Sequence, residues 1–534
     1  FVTLSARSLN QKLKIIAICL VVLGSLHSCT KDFEEINTNP NTTLVGMIQP
    51  SGMFEPILYN SANQWLNRTW YYNNELIQFT AHTGGVTRRE HLYFLEDSRD
   101  WYGFWNHYAV YGKNIDHMYE LAQEEGDASL EAIALTFKAL FFANMTDMFG
   151  SVPYEEAFTG RKVGGTLTPR FNTQQEVYEF LFEDLEKAND IYATSPVFLN
   201  PAMDGMYGGD MESWRKFNNS LYLRLLCRVS GRAEMNVGAK MTEILNNPAK
   251  YPVFTSNADN AMVSFSGNDP YISNFGTTTE SDFTSSGRKL TRQLIDLTVQ
   301  TDVNGNQVYV DPRLPVIGKK NPITEVNPDN IWKGTVSGCT ELERSEVDRG
   351  SSWLNYKVFC RRDAPATYMD YAEVQFILAE AALKGWISGG PAAAKNYYEA
   401  GVRASMEKWS EQGAFSDPAV TITSAEINYY LSSPLGSWDL AANKEEFLGN
   451  QKWLALFWVG MEAYHEYRRT GYPVLTIGEG TIYNDYILPT RFGFPNVTMS
   501  TNNANAKAAL EEMGGPNDMK TPVWWSKQAI TGGK

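Results

Sequence analysis

The sequence predicts a mainly α fold in which helical hairpins form a scaffold and one half is loop-rich and irregular. Three observations point there. Apolar residues recur at spacings of three and four across residues 47–250 and 366–470, the period of an amphipathic helix. Several of these stretches open on a capping residue and close on glycine or proline, as from Asp127 to Gly150 and Pro153. Between residues 251 and 365 the pattern changes to short apolar runs broken by glycine, proline, asparagine and serine.

The start of the chain sets the address of everything after it. Arg7, Lys12 and Lys14 precede the short apolar run Ile15–Leu23, which is too short to span a bilayer as a mature helix and reads as a secretory signal. The residues Leu26-His27-Ser28-Cys29 resemble the lipobox of bacterial lipoproteins, which implies removal of residues 1–28 and lipidation of Cys29. An ordinary secretory signal cleaved nearby is the other reading. Residues 29–46 form a tether. Its acidic start, Lys31-Asp32-Phe33-Glu34-Glu35, fits either a solvated spacer or the export tag that carries Bacteroidetes-type lipoproteins to the cell surface. The polar stretch Asn37–Thr43 then leads to a single domain over 47–534.

Charge narrows the partners. Lysine and arginine total 46 against 61 acids, a net charge of −15, which argues against nucleic acid and against an anionic membrane surface. Of five cysteines, Cys19 lies in the signal, Cys29 takes the lipid and Cys227 sits in an apolar helical run. Cys339 and Cys360 are left as a pair that an oxidising exterior could join. Aromatic residues make up 13% of the chain, with fourteen tryptophans, most of them expected in the core.

In chain order, a helical pattern from about Met47 to Thr80 carries Trp65, Trp70, Tyr71, Tyr72 and Phe79. The loop Thr83–Glu90 follows, with Arg88 and Arg89 side by side. A second helix aligns Trp101, Phe104, Trp105, Tyr108 and Tyr111 along one stripe, which reads as core, so the loop ahead of it is the better place for ligand contact. The third helix sets Ile133, Phe137, Leu140, Phe141, Met145 and Met148 on one face. A capping box from Thr173 to Glu176 opens another. Tyr371–Ala382 and the helix through Tyr398, Val402, Ser405 and Trp409 flank Gly389-Gly390-Pro391, the pattern of a tetratricopeptide-like hairpin.

Several of these segments, in this order, resemble the SusD/RagB family of outer-membrane nutrient-binding lipoproteins. They are Phe141–Tyr154 with its Asp-X-Phe-Gly-X-Val-Pro-Tyr turn, Pro169–Tyr178, Trp214–Leu221, Asp311-Pro312-Arg313-Leu314, Glu373–Ala381, and Gln451-Lys452-Trp453 with Tyr467-Arg468-Arg469-Thr470-Gly471-Tyr472-Pro473. The resemblance implies a SusD-like fold whose ligand site lies on the loop-rich side. It also implies a chain that binds oligosaccharide at the cell surface and delivers it to a SusC-like TonB-dependent transporter. Uptake of oligopeptide by a component of the same type is the alternative.

A carbohydrate site needs flat aromatic faces for sugar C–H groups, and polar side chains that replace the water around hydroxyls. Trp65, Trp70, Tyr72, Arg88, Arg89, Trp101, Trp332 and Trp353 are the candidates, with core packing the competing role for each aromatic. Catalysis is not expected. The chain has no His-Glu-X-X-His, no Gly-X-Ser-X-Gly elbow and no phosphate-binding glycine loop, and no cofactor or metal is implied. A surface glycoside hydrolase is the distant alternative, since a carboxylate pair is defined by its separation in space. Asp302 and Asn304 do not fit a calcium loop, because Gly305 falls too early, and they read as a hairpin turn.

Overall fold

In a computed structural model, residues 49–82, 89–285 and 287–531 are described. Cys29 with its lipobox, the tether 29–46 and Arg88 lie outside the described residues. From Pro50 onward the chain forms one unit.

The first helix, α1 (Pro50–Arg68), buries Phe54, Leu58, Ala62, Trp65 and Leu66. It widens into a π-type turn at Thr69–Asn73, and the chain leaves it at Gln78, whose φ is 60°. Helix α2 (Tyr102–Glu125) and helix α3 (Ala128–Phe149) form a hairpin with only Gly126 and Asp127 between them. Gly126 takes the left-handed conformation that ends a helix, and the Asp127 side chain accepts from the Leu130 N–H at 3.0 Å to start the next. Helix α3 is apolar all round because other elements cover it all round. It is long and apolar enough to cross a membrane, yet most of it is buried inside the protein, as befits a core helix.

Helix α4 (Gln174–Tyr192) has the capping box expected at Thr173 and Glu176. It packs beside α5 (Met211–Arg228), which leads to α6 (Val237–Asn246). The second hairpin joins α7 (Tyr371–Leu383) to α8 (Gly390–Gly413), and the two pack closely. A Cβ on Gly401 would sit 3.0 Å from the Phe376 ring, so the helices approach at a glycine. Helix α9 (Ser424–Ser432) follows, then α10 (Lys444–Ala455) and α11 (Glu462–Thr470). Between these last two the chain breaks at Trp458 and Gly460, with φ of 70° and 54°. A Cβ on Gly460 would lie 2.2 Å from the Trp65 ring, so this break seats Trp65. Helix α12 (Asn503–Glu512) and α13 (Lys527–Thr531) are the last two helices among the described residues.

The loop-rich half contains short strands. β1 (Thr80–His82), β3 (Arg288–Leu290), β7 (Trp353–Leu354) and β6 (Gly318–Lys319) form a four-stranded antiparallel sheet in that spatial order. β2 (Ala261–Val263) pairs with β8 (Ala366–Met369), and β4 (Val299–Thr301) with β5 (Gln307–Val310). Asp302 closes the β4–β5 turn by accepting from the N–H groups of Asn304 and Asn306, each at 2.9 Å. Cys339 and Cys360 do not pair. Both are free and buried, and both thiols are pushed up by burial, Cys339 more mildly.

The charged residues of the family motifs turn inward. Asp147 of α3 accepts from Tyr178, Trp525 and Arg228, each at 2.6 Å. Arg228 also donates to Glu462 at 2.5 Å, and Arg224 donates to Glu373 at 2.7 Å. Arg313 pairs with Asp311 at 2.7 Å and also donates to Tyr430 and Gln451, tying the loop-rich half to α9 and α10. Such partners offset the several kcal/mol that burying each ion costs, without necessarily adding net stability.

Candidate functional site

Three separate segments meet on the loop-rich side: 89–94, 337–341 and 477–487. A buried imidazole clips the first two. The Gly338 N–H donates to His91 Nδ1 at 3.3 Å, and burial holds the His91 pKa down to about 3, so the ring stays a neutral acceptor. The third segment is held to the second by backbone, with the Gly480 N–H donating to the Gly338 carbonyl at 2.8 Å. A Cβ on Gly478 would lie 2.2 Å from that carbonyl oxygen, so only glycine permits the approach.

On this frame sits a cluster of side chains. Arg89 donates to the Tyr483 hydroxyl at 3.0 Å and pairs with Glu341 at 3.3 Å. Phe94 meets Tyr483 edge to face with ring centroids 4.8 Å apart, an arrangement that fixes both rings. Tyr483 is nevertheless 47% exposed and Tyr486 51%, with Ile482 and Ile487 open beside them. Asp485 and Tyr486 both take left-handed backbone conformations, φ 54° and 61°. Each costs about 1–2 kcal/mol for a residue other than glycine. Lys520 holds Asp485 from outside at 2.5 Å. Strained backbone of this kind clusters at functional sites.

The arrangement offers tyrosine rings for C–H packing, hydroxyls that donate and accept, a guanidinium and a carboxylate. It is an open face. Among the described residues, no group of three or more His, Cys, Asp or Glu is placed to hold a metal ion.

The candidates from the sequence separate clearly. Arg89 is in the cluster. Four aromatics are core residues, and their burial leaves no ring face for a ligand: Trp65 packs on Tyr368, Trp70 stacks on Phe283 at 4.5 Å, Tyr72 donates to Asp100 at 2.8 Å, and Trp332 is held by Gln307. Trp101 is half-buried against Gly493. Trp353, on β7, is half-buried with the Lys289 ammonium 4.9 Å from its ring centre, and belongs to the four-stranded sheet. Phe94, Glu341, Tyr483 and Tyr486 were not among the candidates. The available signal was Ile482-Tyr483-Asn484-Asp485-Tyr486-Ile487, aromatic residues interleaved with turn formers just after a helix stop at Gly471 and Pro473.

A rigid helical-hairpin scaffold that carries an open face of aromatic and hydrogen-bonding groups is the build of a surface-binding protein. Comparison with known proteins supplies the family. Residues 40–495 match the SusD-like profile described as starch-binding and associating with the outer membrane, and the chain belongs to that family. A chitin-binding protein of known structure is 26% identical, with a TM-score of 0.74, and the match covers 90% of this chain and 100% of that one. A SusD homologue from Bacteroides fragilis is 25% identical over the same shares, with a TM-score of 0.72. A chitin-binding SusD homologue from Flavobacterium johnsoniae shares the fold at 23% identity and a TM-score of 0.68, covering 89% of this chain and 98% of that one. No curated protein matches the sequence.

Proposed function

We propose that this protein captures oligosaccharide at the cell surface, on the face built by Arg89, Phe94, Glu341, Tyr483 and Tyr486, and passes it to a SusC-like TonB-dependent transporter. Cys29 carries the lipid that holds it to the outer membrane. No bond is made or broken by it. The observation that carries this reading is the family membership together with two half-exposed tyrosines, one clamped by Arg89 and Phe94. The similar chitin-binding protein supports a β-linked N-acetylglucosamine oligomer as a first ligand to try, and the family description supports an α-glucan.

Binding on such a face works by stacking and by exchange of water hydrogen bonds, and it needs little rearrangement at Tyr483, whose ring Arg89 and Phe94 already fix. The test is calorimetric titration of the soluble chain, begun after Cys29, with chito- and malto-oligosaccharides and with mixed oligopeptides. Saturable binding of a glycan that Tyr483→Ala weakens supports the proposal. Binding of peptides alone, or release of new reducing ends during incubation, overturns it.

A further inference from the structure

A cavity lies on the helical scaffold, among residues that the outer face does not use. It has a volume of about 330 Å³ and opens between the C-terminal end of α7, helices α10 and α11, and α13. Its floor is the inward end of the Lys452 and Arg469 motif. Arg469 donates to both oxygens of Glu380, at 2.8 and 2.5 Å, and to Glu466 at 2.5 Å. Lys452 reaches the same Glu466 at 3.0 Å. The walls include Trp386 and Tyr472, and Lys384 and Glu445 form a 2.5 Å ion pair at the rim.

The charges on the floor cancel, two carboxylates against one guanidinium and one ammonium, and so does the Lys384–Glu445 pair, while Lys527 at the mouth donates to the Thr470 carbonyl at 2.9 Å and leaves one ammonium over. On the floor an entering ion would meet a repelling group beside each attracting one, and it would give up its hydration for little return. A hydroxyl group is different, because it donates and accepts. A carboxylate offers about four lone-pair positions and an ammonium three N–H donors, so the floor keeps capacity after its own pairings are counted. Aromatic walls over such a floor complete the requirements for a polyol with apolar C–H faces, and the cavity falls at the small end of the range for ligand sites. We propose that this cavity binds a neutral sugar of mono- or disaccharide size, as a site separate from the outer face.

The experiment titrates the soluble chain with glucose, N-acetylglucosamine and maltose, read by heat and by tryptophan fluorescence. At least one should saturate with a fluorescence change. Trp386→Ala, which removes a wall, and Ile530→Trp, which fills the mouth without touching the floor, should each weaken that binding about tenfold or more. Tyr483→Ala, on the outer face, should leave it unchanged, so loss of the outer site and loss of this one are told apart. The proposal is overturned if none of the three sugars saturates, if both cavity variants bind like the parent, or if sodium sulfate competes the sugar away as a simple anion would.

Discussion

Replacing Glu466 by glutamine tests the reading of the inward charges as a balanced network. Glu466 accepts from Arg469 and Lys452, and its side chain is 8% exposed. The substitution keeps the shape and removes the charge. Arg469 would retain Glu380, whereas Lys452, 3% exposed, would lose the carboxylate 3.0 Å away and keep only a neutral amide oxygen and the Cys227 sulfur at 3.9 Å, with Glu380 and Glu373 as longer-range charges. The loss is therefore close to that of leaving one buried charge unpaired, about 3 kcal/mol, at the lower end of the range for broken buried pairs. Equilibrium urea unfolding of the soluble chain measures it. The pH dependence follows from the environment: burial pushes the Glu466 carboxyl up, but Arg469 and Lys452 outweigh that and hold it well below the usual carboxylate range. A carboxylate held low stabilises the fold above its unfolded value of about 4.3, and that contribution is lost as pH falls toward its folded value. The parent and Glu466→Gln should differ fully at pH 7 and converge in acid. Lys452→Met with Glu466→Gln should recover about half of the loss or more, since no buried charge is then stranded. Equal midpoints at pH 7, or a double variant as unstable as the sum of the single ones, would refute the reasoning.

Arg89→Ala removes the donor to Tyr483 and the partner of Glu341, and should weaken glycan binding by about 1 kcal/mol, roughly fivefold, in the same titration. Gly460→Ala forces a Cβ against the Trp65 ring at a left-handed position; the expected cost is about 2–5 kcal/mol, read as a lowered urea midpoint. Cys227, Cys339 and Cys360 should resist a thiol reagent in the native soluble chain and all react once it is unfolded in urea. Rapid native labelling of any of them would contradict the burial described above.

The helices were legible because their signals are local. Asp127, Thr173 with Glu176, Gly126 and Gly471 each act within one turn, and the apolar spacing of α3 and α7 shows which segments are buried. The loop-rich half was legible only as a change of pattern, since strands of two to four residues such as β6 and β7 have too little period to read. Tryptophan drew attention as the residue type of a sugar platform, yet Trp65 and Trp70 are anchored by Gly460 and Phe283, hundreds of residues away in sequence, and no local pattern carries that. The same holds for Tyr483. Its exposure depends on Gly478 meeting Gly338, and its orientation on Arg89 and Phe94. Arg89 was recognisable because paired arginines in a loop are unusual in themselves; Tyr486 was not, because a tyrosine in a loop is ordinary until its neighbours are known.

The indole N–H of Trp525 reaches Asp147 across 378 residues, at the centre of the inward network. A side chain far along the sequence is thus a hydrogen-bond partner of the helix that organises the first half. A chain emerging amino end first can assemble α1 to α5 early, but Asp147 lacks one of its three donors until Trp525 arrives. Closure of contacts so distant in sequence comes late and slowly. A protein built this way stays open until Trp525 is available to complete its interior. Truncation before Trp525 should then leave a chain that collapses without reaching its final packing.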